Sequence, residues 1–187
     1  MAGAKLTHGE IVTHQDDAQT QRAAATAEQQ VQLRIEKVYL KDASFESPRA
    51  PEVFTRQWQP NLAVDINTRA TALADDRHEV VLSVTVRANV EDDGLGFLVE
   101  VQQGGIFHIK NADPAQLSQI LGIACPNTLF PYARESLDSL VVKGGFPPIQ
   151  LAQVNFEALF VQALQQQQVQ QQQDQDGQGS DSRPIRH

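Results

Sequence analysis

Hydrophobic and polar residues alternate along four stretches of this chain, which is the pattern of β-strands with two unlike faces. The four stretches begin at Val31, Leu62, Val80 and Gly96. In the first stretch the apolar positions change phase, and this change predicts a β-bulge near Lys37. Short polar turns join the later stretches, so the sequence favours antiparallel pairing between strands that follow one another in the chain.

The fourth stretch is the most informative, because successive side chains of a strand point to opposite faces and both of its faces need a neighbour. From residue 98 to residue 109 it reads LVEVQQGGIFHI. One face combines an apolar residue, a carboxylate and an amide, while the other is a short valine ladder. These sets are Leu98, Glu100 and Gln102 on the first face, and Val99, Val101 and Gln103 on the second. The sequence therefore predicts a sheet that is covered on both sides, one of them by partners.

Beyond residue 110 the apolar residues recur at helical spacing. The Asp-Pro pair at 113–114 is typical of an N-cap followed by the first helical residue. The CPN sequence at 125–127 predicts a break, followed by a second helix with Pro131 in its first turn. The glycine pair at 144–145 predicts the end of that helix, and Asn155 predicts the cap of a last one. The chain is thus expected to form four strands and then helices.

Composition divides the 187 residues into a core-forming part and two polar ends. Residues 1–30 contain little apolar surface, and residues 165–187 begin with a run of glutamines. Neither end can bury enough apolar area to offset the entropy lost on ordering, so both are predicted to be disordered. The sequence therefore predicts one folded domain over residues 31–164.

The net charge of −8 restricts the classes of partner. Within residues 31–164, 11 Lys and Arg stand against 16 Asp and Glu, so the folded domain is itself acidic. An acidic surface repels phosphates, which excludes nucleic acid as the expected ligand and favours a basic or neutral partner. Cys125 is the only cysteine, so we expect neither an internal disulfide nor a thiolate zinc site. No signal peptide or membrane span is recognisable, and we expect a cytoplasmic protein without direct membrane insertion.

A long connection between the first two strands, residues 47–61, carries three prolines and the only tryptophan. Connections of this length are uncommon in compact domains and are often functional. Phe54 and Trp58 admit two interpretations of equal weight: they anchor the loop on the sheet, or they form the wall of an apolar groove for extended chains.

Catalytic motifs are not recognisable in the sequence. His78 and His108 lie in strands without a cysteine or carboxylate at metal-ligand spacing, which is typical of structural histidines. The glycines at 94–96 and 104–105 lack the spacing of a phosphate-binding loop, and the aspartate pair at 75–76 is typical of a turn. We therefore expect no catalytic residues, no metal and no cofactor.

Several long sequence segments resemble the SecB family of protein-export chaperones. These segments are KDASFESP at 41–48, FLVEVQQGGIF at 97–107, CPNTLFPYARE at 125–135 and QVNFEALF at 153–160. They occur in the family's order and spacing, and the resemblance covers nearly all of residues 31–168. It implies an α+β fold, in which a four-stranded antiparallel sheet is packed with helices on one side.

The resemblance also implies a function. Members of this family are ATP-independent chaperones that hold unfolded precursor proteins in an export-competent state and deliver them to the SecA translocase ATPase. They act as homotetramers, each a dimer of dimers, in the cytoplasm. A small-ligand or peptide-binding module with a closed aromatic pocket stays open as an alternative, and an enzyme is a more distant one.

Site residues follow from the resemblance position by position. The set implied for binding the SecA motor is Asp42, Glu46, Leu98 and Glu100. The set implied for contacts between dimers is Val99, Val101 and Gln103, for which ordinary core packing is the simpler interpretation. The set implied for client binding is Phe54, Trp58, Phe156, Leu159 and Phe160.

Overall fold

The computed structural model describes residues 30–74, 76–90 and 94–177, without the side chains of residues 167 and 170–177. Four strands form one antiparallel sheet with the spatial order β1-β4-β3-β2. The strands are β1 (Gln32–Glu46), β2 (Pro60–Ala72), β3 (Arg77–Val90) and β4 (Gly94–Lys110). The first and second strands are therefore the two edges of the sheet, and the long connection between them spans one of its ends.

Three helices follow the sheet: α1 (Pro114–Gln119), α2 (Cys125–Lys143) and α3 (Phe156–Gly177). The predicted first cap is confirmed, because the Asp113 carboxylate accepts a hydrogen bond from the Gln116 backbone N–H at 2.8 Å. The Gln116 side chain accepts one in return from the Asp113 backbone N–H, so the two residues form a capping box. With helices on one side of an antiparallel sheet, the predicted α+β class is confirmed.

The predicted break at residues 125–127 is wrong. A π-helical segment, Ile120–Ala124, connects α1 directly to α2, and the Cys125 backbone N–H donates to the carbonyl of Ile120. Pro126 has no N–H to donate, so one helical hydrogen bond is missing. The wider π-helical turn accommodates the proline, and the helix continues. Pro131 likewise lies inside α2 and not in its first turn. The end of α2 at Gly144 is confirmed, and Gly145 adopts a positive φ of 88° there.

Strand β1 contains two register shifts against β4. The shift between Ile35 and Lys37 confirms the predicted bulge, whereas the shift between Leu40 and Asp42 was not predicted. Each bulge adds a residue and reverses which side chains face outward. After the second bulge, Asp42 and Glu46 lie on the side of the sheet away from the helices, which we call the outer face, together with their β4 neighbours.

The core lies between the helix side of the sheet and α2. It combines alternate residues of β3 and β4 with one face of α2, namely Val80, Leu82, Val84, Val86, Phe97, Val99, Val101, Phe107, Leu129, Ala133, Leu137 and Val141. Val99 and Val101 are completely buried, and Gln103 is 4% exposed. These three side chains lie beneath α2 within one subunit, because strand parity turns the valine ladder toward the helices. A direct contact with another subunit, as implied for them, does not fit this burial.

Helix α3 continues through the glutamine run to Gly177. Glutamine is a good helix former, so a helix that starts on a packed apolar turn can continue through this polar segment. The helix thus crosses the domain boundary that composition predicts at residue 164. Of the tails predicted at 1–30 and 165–187, residues 1–29 and 178–187 lie outside the described residues, and residues 165–177 are helical.

The ring of Tyr39 on β1 packs so closely on Gly104 of β4 that it leaves no room for a larger residue there. A Cβ at this position would lie 2.6 Å from the ring of Tyr39, whose hydroxyl donates to the Glu79 carboxylate. We expect Gly104→Ala to displace the ring and to lower the free energy of unfolding by about 1–3 kcal/mol. Urea unfolding of the purified protein measures this cost.

A matched background separates the ring clash from any effect on the strand itself. In the Tyr39→Ala variant the three closest contacts of an alanine at position 104 are gone, so its added cost should fall below about 0.5 kcal/mol. An equal cost of Gly104→Ala in both backgrounds would contradict the assigned packing.

Candidate functional site

Five aromatic side chains meet at the end of the sheet where the long β1–β2 connection crosses. Their centre is Phe146, whose ring centroid lies 4.6 Å from that of Trp58 and 5.0 Å from that of Phe54. Trp58 also stacks on Phe97 at 5.8 Å, and Phe45 completes the group. The rings fill the space between one another, so this cluster does not form the closed pocket of the small-ligand alternative.

The long connection is fastened at this end of the sheet. The Ser47 hydroxyl donates to the Gly96 carbonyl at 3.0 Å, and the Trp58 ring lies where a Cβ of Gly96 would be, at 2.9 Å. Trp58 is half-buried, whereas Phe54 is 49% exposed. The anchor interpretation therefore fits Trp58, while Phe54 keeps an accessible apolar face.

The other three predicted client contacts lie elsewhere, at the start of α3. Here a groove of about 610 Å³ runs between edge strand β2, the π-helical segment and α3. Its apolar walls include Ile66, Leu121, Leu159 and Phe160, and Leu159 is 37% exposed. The Phe160 ring packs directly on Gly122, where a Cβ would overlap it. The groove is thus open to solvent along α3.

Phe156 belongs to the core, since it is only 2% exposed and packs edge-on against Phe130 with 5.9 Å between ring centroids. Its role is to anchor the first turn of α3. The predicted cap of this helix is confirmed, because Asn155 Oδ1 accepts a hydrogen bond from the Ala158 backbone N–H at 3.0 Å. Phe156 therefore supports the groove from beneath and offers little surface of its own.

The aromatic cluster and the groove are connected by the helix-facing side of β2. Leu62, Val64 and Ile66 point to this side, because they are in register with Ala88, Val86 and Val84 of the buried β3 ladder. Leu62 is 40% exposed and Val64 46% exposed. We call the series from Phe54 and Trp58 through Leu62, Val64 and Ile66 to Leu159 and Phe160 the apolar track. Sequence reasoning identified Leu62 and Val64 as strand residues and missed their exposure.

The four residues implied for motor binding lie together on the outer face. Glu46 pairs with Leu98, and Glu100 lies between Ser44 and Thr85 on its neighbouring strands. Asp42 and Glu46 are exposed, and Leu98 and Glu100 are half-buried. Asp65, which pairs with Thr85, continues this set onto β2 and was missed by sequence reasoning. We call the carboxylates Asp42, Glu46, Asp65 and Glu100 with Leu98 the acidic end of the outer face. One exposed cation, Arg87, pairs with Leu98 and lies beside these carboxylates.

Ion pairs organise the opposite end of the same face. Lys41 Nζ lies 2.7 Å from the Glu79 carboxylate, and this bond, together with that from Tyr39, holds the pKa of Glu79 below its usual value. Burial and the neighbouring Glu79 carboxylate raise the pKa of Tyr39 to about 12. Arg77 lies 2.9 Å and Arg34 3.1 Å from the Glu36 carboxylate. The carboxylates here are therefore ionised at neutral pH and paired with cations.

Groups with catalytic potential are sparse in the part of the chain that the structure describes. Cys125 is buried, and burial raises the pKa of its thiol to about 12, so it is a poor nucleophile at neutral pH. Among the described residues, no three His, Cys, Asp or Glu side chains come together as a metal site would require. None of the helices described is both long and apolar enough to cross a bilayer.

Comparison with known proteins gives a consistent result. Residues 26–167 match the family profile described as preprotein translocase subunit SecB. The chain is 51% identical over 140 residues to protein-export protein SecB of Pseudomonas paraeruginosa strain PA7, covering 75% of this chain and 86% of that protein. It is also 51% identical over 146 residues to the protein of that name from Pseudomonas fluorescens strain Pf-5, covering 78% and 91%.

A solved structure shares the fold. The SecB-like chaperone of Mycobacterium tuberculosis, in complex with a ChAD peptide from an antitoxin, superposes with a TM-score of 0.56. The match covers 71% of this chain and 95% of that one, at 16% sequence identity. With the fold, the family match over most of its length and relatives of about half-identical sequence, this chain belongs to the SecB family of protein-export chaperones.

Proposed function

We propose that this chaperone acts without nucleotide, by holding unfolded precursor segments along the apolar track. The observation that carries the proposal is the exposure of this track, since Phe54, Leu62, Val64 and Leu159 are each between 37% and 49% exposed on one side of the subunit. Monomeric proteins rarely leave such a series of apolar side chains uncovered unless it binds something.

The chemistry of the track favours broad client selection. Burial of apolar surface stabilises a complex by about 25 cal/mol per Å² and does not depend on the direction of the bound chain. Any extended segment with apolar residues therefore gains from lying there. Several tracks on one particle would add their contributions through effective concentration, so that weak single sites hold a long unfolded chain.

The second part of the proposal assigns the acidic end of the outer face to the SecA translocase ATPase. Clients on the track and a motor on the outer face would occupy opposite sides of the sheet, so both can be bound at once. Each exposed ion pair contributes at most about 1 kcal/mol, and several carboxylates are needed for useful affinity. The convergence of Asp42, Glu46, Asp65 and Glu100 supports this assignment.

The third part concerns assembly into a cytoplasmic homotetramer, a dimer of dimers. Apolar side chains on the helix side of edge strand β1 and on the outer surface of α2 support self-association, because they are 42–53% exposed: Leu33, Ile35, Leu40, Tyr132 and Val142. Val99, Val101 and Gln103 would then act indirectly, by fixing the position of α2 above them. The folded unit is proposed to begin at residue 31 and to include α3, which extends past residue 164 to Gly177.

The experiment that tests the holding activity is the refolding of a chemically denatured precursor protein in a nucleotide-free buffer. Equimolar chaperone particles should slow the recovery of native client at least several-fold, and native mass spectrometry should find one client on a four-chain particle. A client that refolds equally fast with and without this protein would refute the proposal.

A charge reversal tests the docking assignment. We expect Asp42→Lys with Glu100→Lys to weaken binding of purified SecA about 10- to 50-fold, because two attractions become repulsions. Isothermal titration calorimetry against wild-type protein measures the change. Client holding should be unaffected, since neither residue lies on the helix side of the sheet. Unchanged SecA affinity in this double variant would remove the acidic end from the docking site.

A further inference from the structure

The outer face is electrically divided, and its second half is cationic. Six of the eleven Lys and Arg between residues 30 and 177 belong to this half, accompanied by two carboxylates. The six cations are Arg34, Lys37, Lys41, Arg69, Arg77 and Lys110, and the carboxylates are Glu36 and Glu79. We call this set the basic end. It stands out because the chain as a whole carries a net charge of −8.

Strand register shows that these side chains share one face. Arg34 and Arg77 flank His108 of β4 from the two sides, and Glu36 bridges the two guanidinium groups. Lys37 pairs with Ile106, and Arg69 pairs with Val81 and acts electrostatically on Glu79. All of these positions have the parity of the outer face.

The centres of the two ends are separated along the strands, and the two sets meet on β1, where Lys41 directly precedes Asp42. Glu100 marks the acidic end on β4, and the basic end is centred on Ile106 and His108 of the same strand. Six to eight residues of an extended strand span about 20–25 Å. On the two central strands the outward residues between these positions are uncharged, namely Gln102, Gly104, Ser83 and Val81. On β1, Asp42 pairs with Gln102 and Tyr39 pairs with Gly104. The centres of the two opposite charges therefore lie toward opposite ends of the face.

We propose that the basic end is a second contact for the partner that docks on the acidic end, and that it accepts an acidic segment of that same partner. The inference rests on the proposed SecA docking and adds the geometry of the contact. The partner must present a basic and an acidic element about 20–25 Å apart, in a fixed order along the strands. A partner placed in the reverse orientation meets like charges at both ends, so the charge pattern determines the docking orientation.

The division of charge also determines which kind of partner the outer face binds favourably. An anionic membrane lying flat on the outer face would meet the four carboxylates as well as the cations, and these would repel it. A purely basic partner gains at the acidic end alone. A protein surface with both charges is the occupant for which the whole face is favourable.

Two substitutions on the basic end test this contact: Lys37→Glu and Arg69→Glu, made together in the full chain. Both side chains are exposed, and neither contributes to the core. We expect the double variant to bind purified SecA about 5- to 20-fold more weakly, mainly through a slower association rate. Its binding should also lose part of the salt dependence of the wild-type protein.

Lys143→Glu serves as a single charge-reversal control, because Lys143 lies at the exposed end of α2 on the helix side, and this variant should leave SecA affinity unchanged. If the acidic-end variant weakens SecA binding and the basic-end variant does not, the second contact is overturned and the docking proposal stands. If neither variant weakens binding, docking on the outer face fails altogether. If the wild type binds anionic vesicles and the basic-end variant loses only that binding, the occupant is a membrane and the inference is also overturned.

Discussion

Val64→Asp combined with Leu159→Gln should weaken binding of an unfolded client about 30- to 150-fold, because two apolar walls of the track contribute about 2–3 kcal/mol of burial. The two residues lie on opposite sides of the track, one on β2 and one on α3. Both are more than one third exposed, so the fold should tolerate polar side chains there. Fluorescence anisotropy of a labelled unfolded precursor measures the affinity.

Helix α3 supplies a matched control for this result. Val161 is 46% exposed, similar to Leu159 at 37%, but it does not line the groove. Val161→Gln should therefore bind the client with wild-type affinity. Equal losses for Val161→Gln and Leu159→Gln would mean that general surface hydrophobicity, and not the track, holds the client.

Gly122→Ala should detach the start of α3 from the rest of the subunit. A Cβ on Gly122 would overlap the Phe160 ring, so the ring and the groove wall that it forms must move. Overpacking of this kind costs about 1–3 kcal/mol, which corresponds to about 5- to 150-fold faster opening of α3. Hydrogen exchange of the backbone amides of α3 measures the opening, and client affinity should fall with it.

The π-helical location makes this test specific. Alanine favours helices more than glycine does, so the substitution should not harm the helical backbone at Gly122 itself. The amides of β3 and β4 should keep wild-type protection, because the core lies beneath α2. Ser118→Ala, another small residue on the groove wall, should change neither exchange nor binding. Unaltered exchange in α3 of Gly122→Ala would contradict the assigned packing of Phe160.

Local patterns predicted much of the fold. The Asp113 cap, the end of α2 at Gly144 and the first bulge in β1 each follow from chemistry that acts within a few residues. The helix break at residues 125–127 could not be judged in this way. A proline ends an isolated helix, but here a π-helical turn and packing against the sheet carry the chain through Pro126.

Exposure was the least predictable property of the site. Alternation correctly placed Leu62 and Val64 in a strand, yet the same pattern describes a buried face and an uncovered one. Phe156 and Leu159 belong to the same helical repeat, so the sequence pattern does not distinguish them. In the structure, Phe156 packs against Phe130 and anchors the helix, whereas Leu159 is an exposed part of the groove wall. Asp42 lies on the same face as Glu100 because of the second bulge in β1. The sequence contains no clear signal for that bulge.

Site-specific photo-crosslinking along β2 tests the central claim most directly. A photoreactive amino acid placed in turn at positions 61 to 66 samples both faces of one strand, because successive side chains alternate. With an unfolded client bound, positions 62, 64 and 66 should crosslink to it, and positions 61, 63 and 65 should not. Crosslinks of equal yield at all six positions, or only at the outward ones, would contradict a client held on the apolar track.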